Sequence, residues 1–120
     1  MKKFLTYKFL IRFGLGVIFI ANALTALLAP NEFVELIKNS FISNFLPISP
    51  EAFVRVIIGL NDLTVGLLFI SGFAIRRVAI WAMIWLIGVM VVIANPFDIL
   101  EHAGLLFMAF ALFFNEKLVS

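Results

Sequence analysis

The sequence predicts an all-α integral membrane four-helix bundle, with a short amphipathic interfacial helix between helices 1 and 2. Three observations predict it. Of 120 residues, 64% are hydrophobic and 13% charged, with mean hydropathy +1.18; soluble domains run at roughly 45–50% apolar and about 25% charged. Four apolar stretches, near 7–28, 50–72, 78–94 and 98–114, have the length of a membrane-crossing helix. The charges inside the second stretch fall at helical spacing. Arg55, Gly59, Asp62 and Gly66 advance by steps of 4, 3 and 4 and share one face. Charge at membrane depth costs roughly 3 kcal/mol or more per group, so that face is expected to turn toward other helices. Residues 1–120 read as a single domain.

The first span follows a basic head, Lys2, Lys3 and Lys8, with Arg12 a turn later. Its Gly14, Gly16, Ala21, Ala23 and Ala26 are small residues that let helices approach closely. A signal peptide is the competing reading, from the charged start, the run Phe13 to Ile20 and the A-x-A at Ala21 to Ala23. The apolar run continues to Ala29, which favours a retained helix.

Pro30 ends the span. Residues 31–39 then read as the interfacial helix, with Phe33, Leu36 and Ile37 on one side and Glu32, Glu35 and Lys38 toward the other. Ser49 is an N-cap, with Pro50 at the first helical position and Glu51 in the first turn. The second span carries Arg55, Asn61 and Asp62. Arg76 and Arg77 separate it from the third, which holds Trp81 and Trp85 and no charge. Asn95-Pro96 marks a turn. Asp98 and Glu101 have the spacing of an acidic capping box for the fourth span, and Glu116, Lys117 and Ser120 close the chain. Lys and Arg concentrate in the head and at Arg76-Arg77, which predicts a cell (inner) membrane protein with both termini cytoplasmic.

Composition removes several chemistries. Without cysteine the chain has no disulfide, thiol nucleophile or iron–sulfur ligand. A single histidine, His102, excludes bis-histidine haem ligation within one chain. Its carboxylates match no metal-ligand spacing, so no metal site is expected. A net charge of +2 with scattered basic groups argues against nucleic acid.

At about 1.5 Å per helical residue, Asn22, Arg55, Glu101 and His102 fall in the outer half and Asp62 near the middle. The expected site is a polar pocket of Asn22, Arg55, Asp62, Glu101 and His102, with Arg55 paired to Glu101 or Asp98. A second expected pair is Arg12 with Asp62 across the inner half. Each residue also has a structural reading: caps for Asp98 and Glu101, a snorkelling Arg55, a hydrogen-bonded His102, an interface anchor in Arg12. Asp62 has no capping role and is too short to snorkel far. It is either ion-paired or held protonated as a hydrogen-bond donor.

The chain resembles the DoxX-like family of small four-helix membrane proteins. The residues 12–19, Arg-Phe-Gly-Leu-Gly-Val-Ile-Phe, are similar to the family's Arg-x-x-x-Gly-x-x-Phe opening. The stretch from Asp62 through Gly66 to Gly72 is similar to its acidic-Leu-x-x-Gly-x-x-x-x-x-Gly segment. The basic turn at Arg76-Arg77 and Gly104-Leu105-Leu106 fit as well. Departures fall on polar positions. Asn22 and Thr25 stand where Gly and Lys are frequent, Asp62 where Glu is usual, and Glu101-His102 where an Arg-Asp type pair is frequent. The family takes its name from a subunit of thiosulfate:quinone oxidoreductase, so the resemblance implies a quinone-linked membrane complex.

Three functions remain open at this point. One is the membrane subunit of a quinone-linked oxidoreductase or redox-stress complex, with a bound quinone and a partner subunit. The second is a non-enzymatic assembly factor or structural subunit, or a homo-oligomer, docking through the amphipathic segment at Phe33 and Ile37. The third is a small-molecule or proton carrier using Asp62; four spans without a repeat argue against it.

Overall fold

The computed structural model describes residues 7–93 and 95–115. Lys2 and Lys3 of the head, and Glu116, Lys117 and Ser120 of the tail, lie outside the described residues. The element order is α1 (Tyr7–Leu28), α2 (Asn31–Lys38), a 3-10 turn (Phe41–Asn44), α3 (Pro50–Ser71), α4 (Ile75–Val92) and α5 (Pro96–Asn115). α1, α3, α4 and α5 are each long and apolar enough to cross a membrane.

The helix starts follow local chemistry. Ser49 Oγ accepts from the Ala52 N–H at 3.1 Å and caps α3. At α5 the cap is Asn95, whose Oδ1 accepts from the Phe97 N–H at 2.8 Å. With Pro96 at the first helical position, which needs no N–H partner, the helix begins there rather than at an Asp98–Glu101 capping box. Between α3 and α4 the chain reverses through two left-handed residues, Gly72 (φ 80°) and Ala74 (φ 51°). This tight reversal lets α4 start at Ile75, ahead of the expected Val78, and takes Arg76 and Arg77 into its first turn.

α3 is not uniform. Phe53–Ile58 is π-helical, and a π turn winds less per residue than an α turn. Gly59 packs on Leu27 of α1 and Arg55 bonds the Leu27 carbonyl oxygen, so both stay on the α1 side. Gly59, Asp62 and Gly66 are buried, whereas Arg55, near the helix start, is exposed.

Two helix pairs make the bundle. α1 lies antiparallel against α3, and α4 against α5, with α1 also touching α5. The α1–α3 contact is backbone on backbone. A Cβ on Gly66 would stand 2.8 Å from the Gly16 carbonyl oxygen, and one on Gly16 would stand 2.8 Å from the Gly66 carbonyl oxygen. Small residues are what permit such an approach where lipid and side chain are equally apolar. Two apolar clusters fill the bundle. The larger centres on Leu15, Phe19, Val65, Phe69, Leu86 and Leu112. The smaller, Ala26, Ile37 and Val54, sits under α2. Large apolar side chains such as Leu28, Val91, Leu100 and Phe107 point outward. An aqueous surface would penalise that arrangement, and a hydrocarbon one does not.

Candidate functional site

A cavity of about 340 Å³ opens between the two clusters. Its walls are α3 and α4, with Asn22 entering from α1. α2 and the 3-10 turn roof it, through Phe33, Leu36, Ile37 and Ile42. The roof follows from the amphipathic pattern of α2, which leaves Glu32, Glu35 and Lys38 exposed on its other side. Phe33 and Ile37, expected as an outward docking surface, are therefore turned inward.

The polar part of the wall is Asp62, which is 4% exposed. It is the end of a hydrogen-bonded chain that crosses from α4 to α3. Trp81 Nε1–H donates to Asn61 Oδ1 at 2.7 Å, and Asn61 Nδ2–H donates to Asp62 Oδ1 at 3.1 Å. The indole has only a donor, so it dictates which way the amide faces. Trp85, one turn beyond Trp81, lines the cavity beside them. The two indoles stand 6.3 Å apart at 33°. Among the described residues, every other lining side chain is apolar apart from Asn22, and none is Lys, Arg or His.

The cavity opens sideways. Trp81, Ile84 and Gly88 all line it and are all exposed on the outer surface of α4. A Cβ on Gly88 would meet nothing within 4 Å.

The structure brings Asn22 and Asp62 to this cavity and places the other expected residues elsewhere. Arg55 does not pair with Glu101 or Asp98. Its Nε bonds Glu51 Oε1 at 3.2 Å, and its Nη1 donates to the Leu27 carbonyl oxygen at 3.1 Å. The reason is helix order: α5 packs on α4 and α1, away from α3. Glu101 is exposed on α5. His102 Nδ1 lies 2.7 Å from the Asp98 carbonyl oxygen of its own helix, and among the described residues none from α5 lines the cavity.

Arg12 does not reach Asp62 either. Its guanidinium lies against Gly72, about 3.1 Å from where a Cβ would be, and over the Phe9 ring at 5.3 Å. Gly72 is ten residues beyond Asp62 in the sequence, or about 15 Å of helix. Asn61, Trp81 and Trp85 were not assigned to the site from sequence. The available signal was an amide beside a mid-span carboxyl and two indoles at i, i+4 in the next span.

The family model described as DoxX matches residues 7–95. This covers α1 to α4 and hence every side chain that lines the cavity. Comparison with curated proteins gives no match, and comparison with solved structures gives none.

Proposed function

The chain belongs to the DoxX family and is an integral membrane protein in contact with the lipid bilayer; from that premise we propose that it is the membrane subunit of a quinone-linked redox complex. In this reading the α3–α4 cavity is the quinone site. The observation that carries it is the combination of an apolar slot, open on its lipid-facing side, with one hydrogen-bonded carboxyl on its wall. A quinone needs that combination: apolar walls for the ring and isoprenoid, and a few polar groups at the carbonyls. The Asn22 amide N–H, and the Asp62 carboxyl when it carries its proton, are the groups able to donate to a carbonyl oxygen. The Trp81–Asn61 chain holds Asp62 in place. The chain supplies no thiol, so the reductant is a partner subunit or its substrate. Lys and Arg at the α3–α4 turn support an inner-membrane location with cytoplasmic termini.

The test is titration of the purified protein with a short-chain quinone. Both tryptophans of the sequence line the cavity, so intrinsic fluorescence reports occupancy. Saturable quenching that weakens in Asp62→Asn and persists in His102→Ala supports the assignment. Absence of saturable binding removes it.

A second reading, a non-enzymatic assembly or docking subunit, is favoured by the exposed Phe41, Phe45 and Ile48 beside the roof. A co-purifying partner lost on Phe41→Ser and Phe45→Ser would support it over the first.

A further inference from the structure

The wall around Asp62 has a charge imbalance that a neutral quinone does not use. A carboxyl group is buried among apolar side chains, its side-chain hydrogen bond comes from an amide, and among the described residues none that lines the cavity is Lys, Arg or His. Arg55 is bonded to Glu51 and the Leu27 carbonyl oxygen, and the Arg12 guanidinium lies beside Gly72 and over the Phe9 ring. A buried carboxylate is tolerated only with a partner of opposite charge or strong hydrogen bonds. Such a group either keeps its proton or takes its counter-charge from a ligand, and the cavity is the side from which a ligand cation would reach it.

The two indoles add a second feature with the same sign. Trp81 and Trp85 line the cavity next to the carboxyl. The faces of indole rings carry negative electrostatic potential and attract cations, most strongly those that are weakly hydrated. Roof and opposite wall are Phe33, Phe53 and aliphatic side chains, which suit an apolar body rather than a hydrated ion. An ionisable carboxyl on the wall, two indoles beside it and an opening toward hydrocarbon point to one ligand class.

We propose that this cavity binds lipophilic organic cations, molecules with a delocalised or ammonium charge on an apolar body, seated beside Trp81 and Trp85 with the charge against Asp62. They enter from the bilayer past Ile84 and Gly88. Anions of the same shape are excluded, because the wall offers them no positive group. The proposal does not depend on the quinone reading: it concerns charge, and either can fail without the other.

The experiment uses two probes of matched shape and opposite charge, tetraphenylphosphonium and tetraphenylborate. The full chain is held in nanodiscs of zwitterionic lipid, and empty nanodiscs are subtracted to remove bilayer partitioning. Binding is read by equilibrium dialysis and by tryptophan quenching. The phosphonium is expected to bind saturably at one site per chain and the borate to show no saturable component. Asp62→Asn is expected to weaken the phosphonium at least tenfold, and Asp62→Glu to retain it. Gly88→Leu, which projects into open space at the cavity mouth, is expected to block it while the helical content is unchanged. If Asp62→Asn does not fold, the native charge pair and Gly88→Leu decide. Equal binding of both probes, no saturable phosphonium, or full binding in Gly88→Leu overturns the proposal.

Discussion

Arg55 Nη1 donates to the Leu27 carbonyl oxygen at 3.1 Å, so an arginine near the start of α3 closes the C-terminal end of α1. That end carries unpaired carbonyls and the negative pole of the helix dipole, where a cation is favourable. Glu51, one turn back, holds the guanidinium in position. At the other end of the same pair, Arg12 of α1 lies against Gly72, just past the end of α3. Each end of the antiparallel pair thus has an arginine of one helix beside the end of the other, hydrogen-bonded to it in the case of Arg55.

Truncating the first of these arginines should loosen the pair without touching the ligand site. Arg55→Ala is expected to lower stability by about 1 kcal/mol, the usual worth of such a hydrogen bond. Glu51→Gln should cost less than about 1 kcal/mol, since the ion pair is largely solvent-exposed. Thermal unfolding in detergent measures both. Quinone affinity should be unchanged in each.

The Gly16–Gly66 crossing predicts a steep contrast among glycines. Gly66→Ala places a methyl against backbone that cannot give way, and overpacking of this kind costs about 1–3 kcal/mol. Gly104→Ala and Gly14→Ala meet nothing within 4 Å. They should be neutral or stabilising by up to about 1 kcal/mol, the helix propensity gained. The same unfolding assay ranks the three.

The α3–α4 turn predicts opposite outcomes two residues apart. Ala74 holds a positive φ at a cost of about 1 kcal/mol. Ala74→Gly should recover part of it, even after glycine's greater unfolded-state entropy is subtracted. Gly72→Ala should destabilise by a similar amount or more, because the added Cβ also meets the Arg12 guanidinium. Midpoints of thermal unfolding in opposite directions are the expected result.

Much of the fold was legible because it depends on run length and local chemistry. A membrane helix is announced by its own residues. The Ser49 cap is complete within four residues. What depended on the order of helices around the bundle was not legible. Arg55, Glu101 and His102 share a depth, but depth does not say that α5 sits on α4 and α1 rather than α3. Arg55 bonds Glu51 and the Leu27 carbonyl oxygen at the end of α1, a partner 28 residues away that its place in the second span does not announce. Asp62 was conspicuous as a carboxyl in the middle of a span. Its relay to Trp81 joins residues 20 apart, which only the packed hairpin brings together.

That relay can be cut without altering the carboxyl. Trp81→Phe keeps the aromatic bulk and removes the indole N–H, leaving Asn61 Oδ1 without its 2.7 Å donor. The amide is then free to turn, and its bond to Asp62 weakens. The expected cost is about 1–3 kcal/mol of stability, with quinone affinity falling several-fold. Unfolding and dialysis with a labelled short-chain quinone measure the two effects separately.

The central claim is that the ligand site lies between α3 and α4, beside Asp62, and not at the polar end of α5. The most direct measurement is quenching of Trp81 and Trp85 fluorescence by a short-chain quinone in three proteins: native, Gly88→Leu and His102→Ala. Saturable quenching in the native chain and His102→Ala, abolished in Gly88→Leu, is the predicted result. Quenching that survives Gly88→Leu, or that disappears in His102→Ala, would contradict it.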